Sequence, residues 1–370
     1  MKEIVLFLLL ACSVNVFAQE KLHITGKITG IDNNVKLTLE SDFKKKEFQL
    51  KDGVIDVEMQ LTTVPSLVFM MFEEEGDYKY TTFFVGNENI VLNGSKSDFP
   101  NNIKADNSKY DHLRYQEYLM TKGLNEEIDR LSGEARTLVQ NGASRDSIYQ
   151  LYMSDVEPLG KIKMAMKEID QKTFEFVKEY INTDYGRYLL RYSMRQFSVD
   201  QLKDLINTVD TKYKETTEIV FIQSIVNSKP LVVGDSYYDF TAEDINAKQV
   251  KFSDYFKGKY VLLDFSTLHC GFCQEAVPKT IKVAEALKEK LTYVTYYVDY
   301  DMEGIKEYYQ LKENKGHLIW NKKGRLEPII AMYRQDATPR YLLFNPKGKL
   351  IKEFIGLEED FEVQLNELMR

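Results

Sequence analysis

Residues 261–273 read VLLDFSTLHCGFC, an apolar run typical of a buried strand followed closely by two cysteines. The strand pattern stops at Phe265, and a helix is predicted over about residues 271–290, so the cysteines fall where that helix begins. Free backbone N–H groups and the positive end of the helix dipole stabilise a thiolate, which is the reactive form of cysteine. We therefore predict that Cys270 is an exposed nucleophile, and that Cys273, one turn further, is a more buried thiol that resolves mixed disulfides.

The other cysteines and histidines of the chain support a reactive role for this pair. Among the 370 residues there is one further cysteine, Cys12. A bridge across two residues constrains the unfolded chain very little, so a purely structural disulfide is a poor explanation. A zinc site needs four ligands and the sequence has no second CxxC motif, while covalent haem attachment needs a histidine where Gln274 stands. We expect no metal and no bound cofactor.

The pattern around the motif alternates between strands and helices from the break at residues 228–230 onward. Further strands are predicted at 291–298, 341–344 and 350–354, and further helices at 302–311, 325–334 and 358–369. The sequence Asn-Pro-Lys-Gly at 345–348 suits the turn of a hairpin. This order predicts an α/β domain with a mixed sheet over residues 229–370.

The quoted stretch resembles the active-site strand and motif of the thioredoxin-like family, and the segment 234–259 is similar to its TlpA/ResA-type branch of envelope thiol–disulfide oxidoreductases. Thr338-Pro339, ahead of a predicted strand, looks like the cis-proline loop of that family. The resemblance implies a cis Thr338–Pro339 bond beside the cysteines, with the Thr338 backbone offered to an extended substrate segment. Phe272, between the cysteines, completes the expected substrate-binding residues.

Two further residues are expected to assist the cysteines. Asp264 lies six residues before Cys270, as in thioredoxin itself. On a central strand it would be buried with a raised pKa, and it could take the proton from Cys273; the alternative is a structural carboxylate bonded to the backbone. His269 directly precedes Cys270 and, when protonated, would lower the pKa of that thiol; the alternative is a solvated histidine.

The chain departs from the family pattern at several positions near the motif. His269 stands where tryptophan is usual, Phe272 where proline is usual, and Ala276 where the TlpA-type branch often carries glutamate. Pro278 does match, and it predicts a kink in the active-site helix. These differences bear on the redox potential and on the partner surface rather than on the fold.

The rest of the chain divides into three parts. Residues 1–18 are predicted to be a signal peptide, because an apolar run precedes Val-Phe-Ala; in the alternative, Cys12 is the lipid-bearing residue of a lipoprotein. Residues 19–105 have the strand-and-turn rhythm of a small β-sheet domain, and residues 106–228 have helical spacing. Together they look like the N-terminal extension often fused to TlpA-type domains.

These observations predict an exported, periplasmic enzyme that reduces or isomerises protein disulfides and receives electrons from a membrane or envelope donor. Its reduction potential is expected between roughly −270 and −180 mV. The net charge of −8 (49 − 57) argues against nucleic-acid binding. Two alternatives remain open, namely a peroxiredoxin-type thiol peroxidase, since Thr267 and Cys270 fit a TxxC motif, and a partner-binding scaffold.

Overall fold

The computed structural model describes residues 21–42, 44–74 and 76–370. The chain divides into two compact units, of which the first ends at Leu189 and the second spans Leu190–Arg370. The predicted signal peptide, 1–18, and Cys12 lie outside the described residues. No helix in the described ranges is both long enough and apolar enough to cross a membrane.

Two four-stranded sheets form the beginning of the first unit, in the strand orders β4-β1-β7-β8 and β3-β2-β5-β6. Their strands are β1 (Leu22–Thr29), β2 (Lys36–Ser41), β3 (Lys44–Gln49), β4 (Val54–Met59), β5 (Ser66–Glu74), β6 (Asp77–Val85), β7 (Asn89–Ser95) and β8 (Ala105–Asp106). Alternate residues point to opposite faces of a strand, so Ile55 and Val57 of β4 face inward. They join one core with Leu39 and Met70 of the other sheet.

Four helices follow these sheets: α1 (Asp111–Gln140), α2 (Arg145–Tyr152), α3 (Lys161–Tyr180) and α4 (Asp184–Ser193), the last of which contains the boundary between the units. A buried carboxylate fixes the beginning of α1 to the sheets. Asp111 accepts hydrogen bonds from the backbone N–H of Phe84 at 2.9 Å and of Ala105 at 2.8 Å. It also pairs with Arg114 at 2.6 Å, so the buried charge is matched.

The second unit is built on a seven-stranded sheet in the order β10-β9-β13-β12-β11-β14-β15. Its strands are β9 (Thr241–Asp244), β10 (Gln249–Lys251), β11 (Tyr260–Ser266), β12 (Leu291–Tyr297), β13 (His317–Trp320), β14 (Arg340–Phe344) and β15 (Leu350–Ile355). Its helices, after α4, are α5 (Val199–Thr208), α6 (Thr217–Val226), α7 (Gly271–Ala286), α8 (Met302–Leu311), α9 (Pro328–Met332) and α10 (Phe361–Leu368).

The central strand β11 places the cysteine motif. It runs parallel to β12 and antiparallel to β14, and six of its seven residues are buried. Such double-sided burial explains the continuous apolar run in the sequence. The second unit thus contains a thioredoxin-like α/β domain, preceded in the chain by a small β-sheet domain and a helical segment, as the sequence predicted. The last two helices of that segment, α5 and α6, also belong to the second unit.

Several elements differ from the sequence prediction. Strand β13 was not foreseen, because four residues are too few for a periodic pattern. The helix predicted at 325–334 is confined to α9, since Glu327 is extended before Pro328 and Arg334 has a positive φ of 49°. The N-terminus of α5 is capped by Ser198, whose side chain accepts from the backbone N–H of Gln201.

Candidate active site

The two cysteines occupy different environments at the N-terminus of α7. Cys270 is the N-cap residue, and its Sγ accepts a hydrogen bond from the backbone N–H of Cys273 at 3.3 Å. Its side chain is partly exposed, whereas Cys273 is 1% exposed. The strand β11 and the loop 267–269 deliver Cys270 to the end of the sheet, and the first turn of the helix carries Cys273 inward.

The pKa of the Cys270 thiol lies below its ordinary value. Partial burial by itself would raise this pKa. Hydrogen bonds from the side chains of Cys273 and Thr338, and from the backbone N–H groups of Cys273 and Phe272, outweigh burial and lower it. Hydrogen bonds that favour the charged form are the expected effect of a helix N-terminus on an N-cap thiolate.

The Cys273 thiol is shifted in the opposite direction. Burial, followed by its hydrogen bond to Cys270, raises the pKa of Cys273 to about 12. The Ser266 side chain and the backbone N–H of Thr267 act against this rise. The outer thiol is therefore the one that ionises more readily, and the inner thiol holds its proton until a base removes it.

The loop before β14 lies beside the cysteines. The Thr338–Pro339 peptide bond is cis, as the sequence predicted, and the Thr338 carbonyl oxygen accepts from Cys270 Sγ at 3.4 Å. Because β14 is the direct neighbour of β11 in the sheet, the residues that precede β14 reach the same end as the motif. The Pro339 carbonyl oxygen accepts from the Gly356 N–H at 2.9 Å, which ties this loop to the end of β15.

Asp264 lies in the centre of β11 and is 2% exposed. Its Oδ2 accepts hydrogen bonds from the Tyr293 hydroxyl at 2.6 Å and from the Thr295 hydroxyl at 3.3 Å. Lys312 Nζ stands 3.9 Å from the same oxygen. Burial raises the pKa of Asp264, although Lys312 and the two hydroxyls act against the rise.

Lys312 was not among the residues that the sequence singled out. Its side chain is 3% exposed, and burial lowers its pKa to about 8 although the Asp264 carboxylate acts in the other direction. Residues 312–316 read KENKG, which gives no sign of a buried lysine. Only the packing of α8 against β12 places this ammonium group inside the domain.

His269 and Phe272 both face solvent. The His269 side chain is 61% exposed, and its Nε2 lies 3.6 Å from Asp301 Oδ2. Phe272 is 75% exposed, an unusual position for a large apolar side chain. The hydrogen bonds to Cys270 account for the lowered pKa of its thiol. The contact that the geometry gives to His269 is with Asp301 and not with the Cys270 sulfur.

The side chains of His269, Asp299 and Asp301 offer three metal-ligand atoms within 4.8 Å of one another. Both carboxylates already have protein donors. Asp299 accepts from Arg325 Nε at 3.0 Å, and Asp301 accepts from the Gly304 N–H at 2.7 Å where it caps α8. These contacts, and the positive charge of Arg325, account for the cluster as local structure.

Comparison with known proteins places the similarity in the second unit. The family model described as the AhpC/TSA family matches residues 233–353. A search of curated proteins finds no match. Among solved structures, the thioredoxin domain of a thiol-disulfide oxidoreductase from Bacteroides vulgatus is 23% identical, with a TM-score of 0.35, and the alignment covers 38% of this chain and 99% of that one.

Two further solved structures are similar over 38% and 36% of the chain. A thiol:disulfide interchange protein from Bacteroides sp. is 24% identical, with a TM-score of 0.35, over 38% of this chain and 91% of that one. A thiol-disulfide oxidoreductase from Bacteroides fragilis is 18% identical, with a TM-score of 0.34, over 36% and 99%.

Proposed function

We propose that this chain is a thiol–disulfide oxidoreductase, which reduces or isomerises disulfides of envelope proteins through Cys270 and Cys273. The observation that carries the proposal is the contrast between the two thiols. Cys270 is reachable and its pKa is lowered, whereas Cys273 is buried three residues away and its pKa is raised. This contrast suits one cysteine for attack and the other for resolution.

The reaction proceeds in two exchanges. The Cys270 thiolate attacks one sulfur of a substrate disulfide, which forms a mixed disulfide and releases the other substrate sulfur as a thiolate. Cys273 then gives its proton to the Asp264 carboxylate and attacks the Cys270 sulfur. The Cys270–Cys273 bond forms and the bond to the substrate breaks, so the substrate gains two electrons and the protein loses two.

Asp264 is suited to this proton transfer because it is a carboxylate with a raised pKa in a buried site. A base whose pKa approaches the working pH accepts a proton most effectively. His269 is assigned a lesser role: when protonated, it would favour the thiolate form of the adjacent Cys270, and its Nε2 lies 3.6 Å from Asp301 Oδ2.

Substrate binding is assigned to the loop and the aromatic side chain around Cys270. The Thr338 backbone beside the sulfur can pair with an extended segment of substrate, and Pro339 lacks an N–H that would compete for that pairing. The exposed ring of Phe272 adds apolar area for the residues that flank the substrate disulfide.

We propose an exported, periplasmic location, since residues 1–18 have the pattern of a signal peptide. Processing at Cys12 as a lipoprotein is the alternative. Outside the inner membrane the surroundings are oxidising, so the dithiol requires a membrane or envelope electron donor to restore it after each cycle.

A peroxiredoxin-type peroxidase is the second candidate, and the match to the AhpC/TSA family favours it. The contacts of Thr267 argue against a peroxidase. Its hydroxyl donates to Asp299 and accepts from the His269 N–H at 3.1 Å, so it is engaged within the loop instead of facing a peroxide at Cys270. Peroxide consumption by the reduced protein separates the two functions.

The decisive experiment is to trap the mixed disulfide. A Cys273→Ser variant should accumulate mixed disulfides with substrate proteins through Cys270, and the matched Cys270→Ser variant should not. Accumulation in Cys270→Ser instead would reverse the roles. The proposal fails if the unmodified protein does not accelerate insulin-disulfide reduction by added dithiol and neither variant traps a partner. That result would favour the alternative of a partner-binding scaffold.

A further inference from the structure

Burial makes the ionisation of Cys273 the difficult step of the proposed reaction. The residue is 1% exposed, and a thiolate in an apolar pocket is unfavourable unless polar groups contact it. Asp264 becomes neutral when it accepts the proton, so it adds no charge that stabilises the remaining thiolate, and the Lys312 ammonium group supplies the electrostatic attraction to Cys273. A hydrogen-bond donor at the sulfur would stabilise the thiolate further by direct contact.

Ser266 supplies a hydroxyl at this place. It lies two residues after Asp264 on β11, so both side chains point to the same face of the strand. Ser266 is 1% exposed. Its side chain forms a hydrogen bond with Cys273, and this bond lowers the pKa of that thiol against the effect of burial.

A second hydroxyl holds Ser266 in place. The Ser266 Oγ and the Tyr308 hydroxyl oxygen are 2.6 Å apart, and Tyr308, on α8, is also 1% exposed. Burial raises the pKa of Tyr308 well above its ordinary value, so this phenol keeps its proton and stays a donor. The ring packs against Tyr297 and lies in a cluster with Ile305 and Val277, which restricts its movement.

We propose that Ser266 is a catalytic residue that donates a hydrogen bond to the Cys273 thiolate, and that Tyr308 is a positioning residue that donates to the Ser266 oxygen. The inference rests on the proposed function, because it concerns the resolving exchange. Each hydroxyl has one proton to give and lone pairs to receive, so the two dipoles can align toward the sulfur. Ser266 and Tyr308 keep their own protons throughout, while the Cys273 proton goes to Asp264.

The two exchanges can be timed separately with dithiobis-nitrobenzoate, a chromogenic aromatic disulfide that releases a coloured thiolate. Attack by Cys270 on the reagent releases one coloured thiolate, and resolution by Cys273 releases a second. Stopped-flow traces of the reduced full chain, in which Cys12→Ser removes the third thiol, are collected from acidic to alkaline pH and give a rate for each phase. The pH profile of the second phase reports the ionisation of Cys273.

We expect Ser266→Ala to leave the first phase unchanged and to slow the second about tenfold near neutral pH, with its midpoint about one pH unit higher. Tyr308→Phe should slow the second phase about threefold, because Ser266 keeps its proton but loses its orientation. The double variant should be no slower than Ser266→Ala alone. Tyr333→Phe is the matched control, since it removes a buried hydroxyl that donates to the Tyr238 carbonyl at 2.8 Å.

A second phase in Ser266→Ala that stays within about twofold of the unmodified protein at every pH would overturn the inference. Equal slowing of both phases would also overturn it, because a general disturbance of the site would then explain the result. If Ser266→Ala does not fold, Tyr308→Phe decides by the same criteria. The absence of a first phase in the unmodified protein would instead contradict the proposed function itself.

Discussion

Replacement of Lys312 with methionine removes a buried charge and keeps a side chain of similar length. Lys312 Nζ lies 3.9 Å from Asp264 Oδ2, and it stands 4.4 Å from the centre of the Tyr293 ring. Burial lowers its pKa from 10.5 to about 8, although Asp264 opposes this. The folded protein therefore releases this proton at a lower pH than the unfolded chain does.

This difference sets the sign and the size of the expected effect. Between about pH 8 and pH 10.5 the unfolded chain holds the Lys312 proton and the folded protein does not. The free energy of unfolding then rises with pH across that window, and the contribution is lost as the pH falls through the folded-state pKa. At 1.36 kcal/mol for each pKa unit, the full window corresponds to about 3 kcal/mol.

Urea unfolding across this pH range gives the free energy of unfolding of the unmodified protein and of Lys312→Met, and the difference between the two values measures the effect. The stability of the unmodified protein relative to Lys312→Met should grow by about 3 kcal/mol toward the alkaline end. Lys315→Met is the matched control, because Lys315 is 43% exposed and pairs with Glu313 at the surface. A difference that does not change with pH would refute the reasoning, since it would mean that the pKa of Lys312 is not lowered.

The same substitution should also change the chemistry. The Lys312 ammonium group, 3.9 Å from Asp264 Oδ2, lowers the pKa of Asp264 against the effect of burial. Its loss should raise the pKa of Asp264 further, so that less of the carboxyl group is ionised and able to accept the Cys273 proton. Resolution by Cys273 should then slow at least about tenfold while attack by Cys270 is unaffected.

Three further substitutions test other parts of the structure. Arg334→Ala should lower the free energy of unfolding of the second unit by about 2 kcal/mol, measured in urea, since Arg334 donates to the Ile225 carbonyl at the end of α6 at 2.8 Å; an unchanged midpoint would contradict this. Asp111→Ala should destabilise the first unit by about 3–5 kcal/mol, because the Arg114 charge would be left buried without its partner, and Asp111→Asn, which keeps an acceptor, should cost less. Phe272→Ala should weaken the binding of an oxidised substrate peptide several-fold in calorimetry and leave the first chromogenic phase intact; equal affinity would remove Phe272 from the substrate surface.

Local sequence pattern was sufficient for the centre of the second unit. The apolar run before Cys270 predicted β11 and the motif predicted where α7 begins, while the resemblance of Thr338-Pro339 to a cis-proline loop implied the cis bond next to the sulfur. Each of these signals lies within a few neighbouring residues, so no long-range information is needed to read it. The buried position of Asp264 followed in the same way from its place on a central strand.

The groups that surround Asp264 and Cys273 could not be predicted in this way. Tyr308 lies on α8 and Lys312 directly follows it, so both become neighbours of β11 only after α8 has packed against the sheet. Ser266 was visible in the quoted stretch, but its proposed role depends on the hydroxyl of Tyr308, which lies far along the chain. Arg334 likewise gave no signal, because its partners are carbonyl oxygens at the end of α6.

The N-cap of α7 is the same sulfur atom that changes oxidation state, so folding and redox chemistry share one thermodynamic cycle. In the dithiol form Cys270 Sγ accepts the Cys273 N–H at 3.3 Å, and a good N-cap contributes about 0.5–2 kcal/mol. In the disulfide form, Cys270 Sγ is bonded to a second sulfur and carries less negative charge, so it is a weaker acceptor for the Cys273 N–H. Any excess stability of the reduced form appears as a more oxidising potential, at about 30 mV for each 1.4 kcal/mol. Two unfolding curves, one for each oxidation state, would thus give the potential relative to that of the same cysteines in the unfolded chain, without any redox titration of the folded protein.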